Sequence, residues 1–183
     1  MFTVNDIPFG NPDRYNLTYI NTESYLDSLL AELNNYPYPK NDTPEAHTEI
    51  QQLAHVTKQL YADPNLLKRF EIYDTGFEQH MIESLVVNGV DAEEAEALLN
   101  SVKEDTKPIL LKLKYFYQRI RPFQLAKIMG KELTPYESHT SYSPSYPSGH
   151  TFQSRIYAEV LGNRYPQFHN ALHELATDIM WSR

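Results

Sequence analysis

The chain has 183 residues, of which 41% are hydrophobic, and its formal net charge is -8 at neutral pH. This length is typical of one domain with a substantial core, and the ordinary hydrophobic content excludes a disordered or fibrous chain. The negative charge argues against a nucleic-acid-binding protein, which would carry a basic surface. Cysteine is absent from the sequence, so disulfides and thiolate chemistry are excluded.

The amino-terminal segment has none of the features of a targeting signal. Residues 1–6 lack the basic region and the apolar run of a signal peptide. No stretch of the sequence approaches the roughly 18 consecutive apolar residues that a membrane span requires. We therefore predict a protein without a membrane span that is cytoplasmic as written. A periplasmic location is compatible with the sequence if the amino terminus is processed or incomplete.

The first half of the chain predicts an irregular arm followed by helices. Residues 1–20 are rich in Pro, Gly and Asn and predict the arm, and residues 21–183 predict a helical domain. Behind Thr22, a candidate cap, apolar residues recur at helical spacing. Thr43-Pro44 and Asp63-Pro64 each combine a capping side chain with a proline at the first helical position. These two dipeptides predict the starts of two further helices.

A long helix is predicted in the middle of the chain. Asn88-Gly89 ends the preceding helical run, and Asp91 is positioned as the cap of the next helix, with Glu94 completing a capping-box pattern. This helix is predicted to extend toward Ile120. Pro108 lies within it and is expected to bend or interrupt it, because proline removes a backbone hydrogen bond.

The last third predicts an ordered loop and two helices. Residues 131–147 contain several Pro, Ser and Tyr residues, which is typical of an ordered loop. Helices are predicted at about residues 151–163 and 167–183. Strand patterns are weak throughout the chain and no internal repeat is present. The predicted fold class is therefore all-α, with a single domain.

Two cations in the middle of the chain are candidates for binding an anion. Lys114 and Arg121 lie seven positions apart, so on a helix they occupy nearly the same face two turns apart. A lysine point charge and a planar arginine fork that converge would suit a phosphoryl group. On spacing alone, solvated helix charges are the more common explanation, because other Lys and Arg residues lie nearby.

A second candidate element is Pro147-Ser148-Gly149-His150. Gly149 allows backbone amides to approach a ligand, and the helix that follows directs its positive amino end to the same point. Ser148 offers a hydroxyl donor, and His150 offers a group that can donate a proton near neutral pH. Taken by itself, the tetrapeptide is also compatible with a serine-capped turn followed by a surface histidine.

The two elements, followed by Ser182-Arg183, resemble the three-part motif of the phosphatidic-acid-phosphatase superfamily. That superfamily includes lipid phosphatases, bacterial acid phosphatases and vanadium haloperoxidases. Residues 117–123 and 145–151 are most similar to the bacterial class A nonspecific acid phosphatases. The resemblance covers residues 110–183, and it implies a helical bundle of the acid phosphatase and haloperoxidase type.

The resemblance also implies a role for each motif residue. Lys114, Arg121 and Arg183 would bind the phosphate oxygens, together with Ser148 and the backbone amide of Gly149. These groups would stabilise the charge on the transferring phosphoryl group. His150 would be the general acid that protonates the leaving alkoxide. In the family, a second histidine shortly after the motif arginine attacks phosphorus, and an aspartate orients that histidine.

The sequence departs from the family pattern at its carboxyl end. It stops at Arg183, before the attacking histidine and its aspartate. We therefore expect a truncated reading frame or fragment that lacks the last helix of the bundle, and little turnover by this polypeptide. The missing helix would leave an apolar groove exposed, which favours a homo-oligomer.

Three functions are compatible with these residues. The first is a phosphomonoesterase that acts on a small phosphate monoester and requires no cofactor. The second is a haloperoxidase, in which vanadate would occupy the same pocket as a cofactor. The third is a non-catalytic protein that binds a free oxyanion. The sequence does not name the substrate.

His169 and His173 form the other candidate site, because they lie four positions apart on a predicted helix and Glu174 follows them. A metal pair is one interpretation of this spacing. The order differs from that of a zinc-protease helix, in which a glutamate is next to the first histidine. The sequence therefore favours a solvated or lightly packed pair, and no metal site is predicted.

Overall fold

The architecture is helical along the part of the chain that the computed structural model describes, residues 7–38 and 40–182. The helices are α1 (Arg14–Ile20), α2 (Leu30–Leu33), α3 (Pro44–Ala62), α4 (Pro64–Thr75), α5 (Phe77–Val86), α6 (Ala92–Tyr117), α7 (Pro122–Ile128), α8 (Gly149–Arg164) and α9 (His169–Trp181). Short 3-10 turns lie at Tyr25–Leu29, His139–Ser141 and Pro166–Phe168. Strands are absent from these described ranges, which confirms the all-α prediction.

Local capping bonds explain where three of the longer helices begin. The Thr43 side chain accepts a hydrogen bond from the Ala46 amide at 3.2 Å, ahead of α3. Asp63 caps α4 by accepting from two backbone amides, and Asp91 caps α6 by accepting from the Glu94 amide at 2.9 Å. Each bond satisfies an amide that the first helical turn leaves unpaired. These three predicted helix starts are confirmed.

The prediction of an irregular arm over residues 1–20 is wrong for residues 14–20, which form α1. Asp13 caps this helix by accepting from the Asn16 amide at 2.7 Å, and α1 packs against α6. Asn16 is the buried residue of α1, and its side chain bonds to the Tyr115 hydroxyl of α6. A short helix held by a buried polar contact has no apolar stripe for sequence analysis to detect. Residues 1–6 lie outside the described part of the chain.

Three further details differ from the sequence predictions. The first helical segment after α1 is capped by Ser24, not by Thr22, because Ser24 and Asp27 form a reciprocal capping box. Gly76 separates α4 from α5, so the predicted run divides before Asn88. The short helix α7 was not predicted; it begins directly after Arg121, where Pro122 suits the first helical position.

The prediction that Pro108 bends or interrupts the long helix is wrong as to interruption, because α6 continues through Pro108 and ends at Tyr117. Pro108 is buried within this helix. After α6 the backbone reverses at Gln118, whose φ of 53° lies in the left-handed region. This reversal places Lys114, in the last turn of α6, and Arg121, the residue before α7, at one corner of the fold.

Two apolar clusters hold these helices in place. The larger cluster joins α4, α5, α6, α8 and α9, and its most buried members are Met81, Leu85, Ala95, Tyr157, Ala158, Leu161, Leu172, Ala176 and Ile179. The smaller cluster joins α3 to α7 through Ile50, Ile120, Leu125 and Ala126. The two clusters therefore fix α6, α7 and α8, which carry the candidate site. Within the described ranges, no helix is long and apolar enough to cross a membrane.

Candidate functional site

An open groove of about 1110 Å³ lies beside α4, α6 and α8. It is lined by five of the six residues that the sequence proposes as a site: Lys114, Arg121, Ser148, Gly149 and His150. Ser182 also lines the groove, and the sixth residue, Arg183, follows it but lies outside the described part of the chain. Residues that are far apart in the sequence therefore face one common space.

Lys114 is buried beneath the groove, with 5% of its surface exposed. Its Nζ donates a hydrogen bond to the carbonyl oxygen of Pro144 at 2.7 Å. Burial and, to a lesser extent, the positive charge of Arg121 together lower the pKa of Lys114 from 10.5 to about 7. Near neutral pH, the charge of Lys114 therefore responds to the arrival of an anion.

Arg121 lies in the turn between the end of α6 and the start of α7. Its backbone amide donates to Oε1 of Gln124 at 2.8 Å, which holds the turn. The guanidinium Nε donates to the Ser143 carbonyl at 2.8 Å, and one terminal nitrogen donates to the Thr140 carbonyl at 3.0 Å. Arg121 therefore ties the 131–147 loop to the edge of the groove.

Ser148 is the cap of α8, and its hydroxyl oxygen accepts from the Thr151 amide at 3.3 Å. A hydroxyl that accepts through its oxygen still has a hydrogen to donate. The first-turn amides and the dipole of α8 make its amino end favourable for an anion. This 16-residue helix therefore brings a partial positive charge to the groove.

Gly149 is the first residue of α8, and neither the backbone nor the packing of the fold requires a glycine here. Its φ is not in the left-handed region, in contrast to Gly10, Gly89 and Gly130. A Cβ at position 149 would lie 3.6 Å from Cδ2 of Leu110 and 3.8 Å from Cε of Lys114, which are ordinary contacts. An added methyl group would lie over the lysine side chain in the groove. Gly149 lines the groove and has no side chain to cover its backbone there.

His150 is held in a defined orientation at the other side of the groove. Its Nε2 lies 2.9 Å from the backbone carbonyl oxygen of Asp74. Because a carbonyl can only accept, Nε2 must carry the hydrogen of this bond. The ring packs against Phe77, with 5.2 Å between the ring centroids, and 11% of the side chain is exposed. His150 therefore has a fixed orientation and carries a hydrogen on Nε2.

Asp74 belongs to the site and was missed by the sequence analysis. It is buried near the end of α4, where its carboxylate accepts from the Ser138 hydroxyl at 2.6 Å and the Thr140 hydroxyl at 3.1 Å. Its Oδ1 lies 4.0 Å from Nε2 of His150, so the two side chains form an ion pair when the imidazole is protonated. One feature of the sequence could have pointed to Asp74. Its carboxylate lies in the last turn of a helix, where the helix dipole disfavours negative charge.

Comparison of the chain with protein-family models, with curated proteins and with solved structures finds no match. The residues that line the groove are therefore the evidence for what it can bind. Two cationic side chains, the amino end of α8 and a proton-bearing imidazole surround one open space. Such a set suits a tetrahedral oxyanion, because each group is a hydrogen-bond donor or a positive charge.

Proposed function

We propose that the groove is the substrate site of a phosphoric monoester hydrolase of the acid phosphatase type. Its ligand would be a small phosphate monoester or a free oxyanion. The observation that carries the proposal is that Lys114, Arg121 and the amino end of α8 line the same cavity. Lys114 is supplied by α6 and Arg121 by the turn before α7, and the third positive group comes from a helix start much further along the chain.

The proposed roles follow from the chemistry of each group. Arg121 would bind two phosphate oxygens through its planar fork, and Lys114 would supply a charge from below. The α8 amides beyond Ser148 would bind a third oxygen. These donors would stabilise the charge that builds up on the phosphoryl group during transfer.

His150 would act as the general acid. Protonated on both ring nitrogens, it would keep one N–H on the Asp74 carbonyl and could give the other proton to a leaving alkoxide. The attacking histidine that the resemblance implies would follow Arg183 and is not among the 183 residues. Binding of an oxyanion tests the proposed donors directly, because Lys114, Arg121 and the α8 amides can bind an anion without an attacking group. Bromide oxidation in the presence of vanadate and peroxide separates a haloperoxidase from a phosphatase.

The Gly149→Ala variant tests the proposal. Since the new methyl group makes only ordinary contacts, we expect the free energy of unfolding to change by less than about 0.5 kcal/mol. The methyl group would lie where an anion approaches Lys114, so we expect vanadate to bind at least about tenfold more weakly. Titration calorimetry with vanadate and with inorganic phosphate measures the affinity, and urea unfolding measures the stability.

Thr151→Ala is the matched control, because Thr151 lies on α8 but does not line the groove. This variant should bind vanadate as the unaltered protein does. Equal vanadate affinity in the Gly149→Ala variant would show that the α8 amino end does not contact the anion. Absence of vanadate binding by the unaltered protein would overturn the proposed function.

A further inference from the structure

A second cluster of polar side chains lies where α8 packs against α9, away from the groove. It consists of Glu159 on α8 and of His169 and His173 on α9. One ligand atom from each of the three residues lies within 4.8 Å of the others. None of the three residues lines the groove, so the cluster has no part in the proposed phosphatase chemistry.

The two histidines share one face of α9 and are stacked in space. Their ring centroids lie 4.4 Å apart, with 37° between the ring planes. Residues four apart on a helix lie on the same face, and this geometry lets two imidazoles bind one ion. Both side chains are half-buried. The prediction of a lightly packed histidine pair therefore agrees with the burial of the two side chains. It did not include the third residue of the cluster.

That third neighbour is Glu159, whose Oε2 lies 3.2 Å from Nε2 of His173. The other carboxylate oxygen of Glu159 accepts a hydrogen bond from the Asn163 side chain at 3.3 Å. Asn163 therefore orients the carboxylate and leaves Oε2 directed at the histidines. A hydrogen bond of this kind, from a residue outside the ligand set, is what holds ligands in place in metal sites.

The Nε2 atom of His173 is shielded from solvent and has no properly aligned hydrogen bond to any residue of the described ranges. The Glu159 carboxylate is close enough for a charge interaction but is not aligned as a hydrogen-bond acceptor. A buried nitrogen without a hydrogen bond costs free energy. A metal ion bound to this nitrogen and to Glu159 would remove that cost.

Gly162 makes the position of His169 possible. A Cβ at position 162 would lie 3.3 Å from Cα and only 2.7 Å from Nδ1 of His169. The second distance is too short for a Cβ contact. Any side chain at position 162 would therefore displace the ring of His169. The close approach of α8 and α9 at this glycine brings the two histidines within reach of Glu159.

We propose that Glu159, His169 and His173 form a binding site for a borderline divalent transition metal, best represented by Zn²⁺, that clips α8 to α9. Two imidazoles and one carboxylate are a known donor set for zinc with an open fourth position. Tetrahedral zinc with bonds near 2.0 to 2.1 Å places its ligand atoms roughly 3.3 Å apart. The three ligand atoms, which lie within 4.8 Å of one another here, would move closer together around the ion. Mg²⁺ prefers oxygen ligands and should not bind.

Calorimetry with ZnCl2 on the whole chain tests the site, and we expect one Zn²⁺ per chain. A hundredfold excess of Zn²⁺ over its Kd should raise the Tm by roughly 5 to 10 °C, since the ion binds only the folded state. Glu159→Gln should weaken Zn²⁺ binding at least about tenfold, because it removes a charged ligand while keeping the size of the side chain. MgCl2 should leave the Tm unchanged.

Glu174→Gln is the matched control, because Glu174 is exposed next to His173 but its carboxylate is not part of the cluster. This variant should bind Zn²⁺ normally, as should His55→Gln on the surface of α3. His173→Gln should abolish the Tm shift, and Co²⁺ in place of Zn²⁺ should give the visible absorption bands of a tetrahedral site.

The proposal is overturned by any of three results. These are absence of Zn²⁺ binding, equal losses in the Glu159→Gln and Glu174→Gln variants, and a Co²⁺ spectrum of purely octahedral type. The Co²⁺ spectrum of the unaltered protein decides the question even if a histidine variant fails to fold. None of these results bears on vanadate binding in the groove.

Discussion

The free energy of unfolding should rise by about 3 kcal/mol between pH 7 and pH 9.5, because Lys114 is neutral in the folded protein over most of this range. Burial lowers the pKa of Lys114 from 10.5 to about 7 in the folded state. The unfolded chain, in which the lysine is exposed, binds this proton up to about pH 10. The unfolded state therefore holds more protons within this window, and stability must increase with pH.

Well below pH 7 the free energy of unfolding does not depend on Lys114, because this side chain is then protonated in both the folded and the unfolded state. Above pH 9.5 the tyrosines begin to titrate in the unfolded chain, while burial raises the pKa of Tyr157 in the folded protein. Ionisation of Tyr157 favours the unfolded state. Above pH 9.5 it therefore lowers the free energy of unfolding, opposite to the effect of Lys114. Urea unfolding at a series of pH values from 6 to 9.5 isolates the contribution of Lys114.

Lys114→Met should remove the rise in stability, because methionine fills a similar volume without a titrating group. Lys112→Met is the matched control: Lys112 lies on the same helix but forms an ion pair with Asp27 at 2.6 Å. The control should keep the rise with pH. A slope that is the same in the Lys114→Met variant and the unaltered protein would show that this lysine remains charged when buried.

Arg121→Ala should weaken vanadate binding by about 1.5 to 3 kcal/mol, which is the range for hydrogen bonds to charged groups. This corresponds to a loss of affinity of roughly ten- to 150-fold. The guanidinium lines the groove and lies close enough to Lys114 to lower the pKa of the lysine. A planar fork at this point can bind two oxygens of one anion, which a single ammonium cannot do. Titration calorimetry at pH 6.5, where Lys114 is mostly charged, gives the cleanest comparison.

Arg121 also holds the loop through Ser143 and Thr140, so its loss could act through the fold. Arg121→Lys separates the two effects, since it keeps the charge and loses the fork; we expect intermediate affinity. Arg155→Ala makes the same change of charge on the exposed surface of α8 and should leave vanadate affinity unchanged. If Arg121→Ala and Arg155→Ala lowered the affinity equally, the effect would be one of overall charge and not of a site.

Local chemistry explains the features that could be predicted from the sequence alone. A capping bond joins residues two or three positions apart, so Thr43, Asp63 and Asp91 mark the starts of α3, α4 and α6 without any knowledge of the fold. Apolar spacing similarly indicates an all-α chain. The motif order indicated which residues to expect in one site, and Lys114 and Arg121 do line one groove with the amino end of α8.

Tertiary structure decided the features that depend on contacts between distant segments. Asp74 reaches His150 because the end of α4 meets the start of α8, and the third ligand atom beside His173 comes from Glu159 on α8, not from the adjacent Glu174. The lowered pKa of Lys114 arises from burial, which depends on how the helices surround it. Helix α1 likewise depends on its contact with α6. Burial and contact across the chain are properties of the packed fold, so a pattern of neighbouring residues does not contain them.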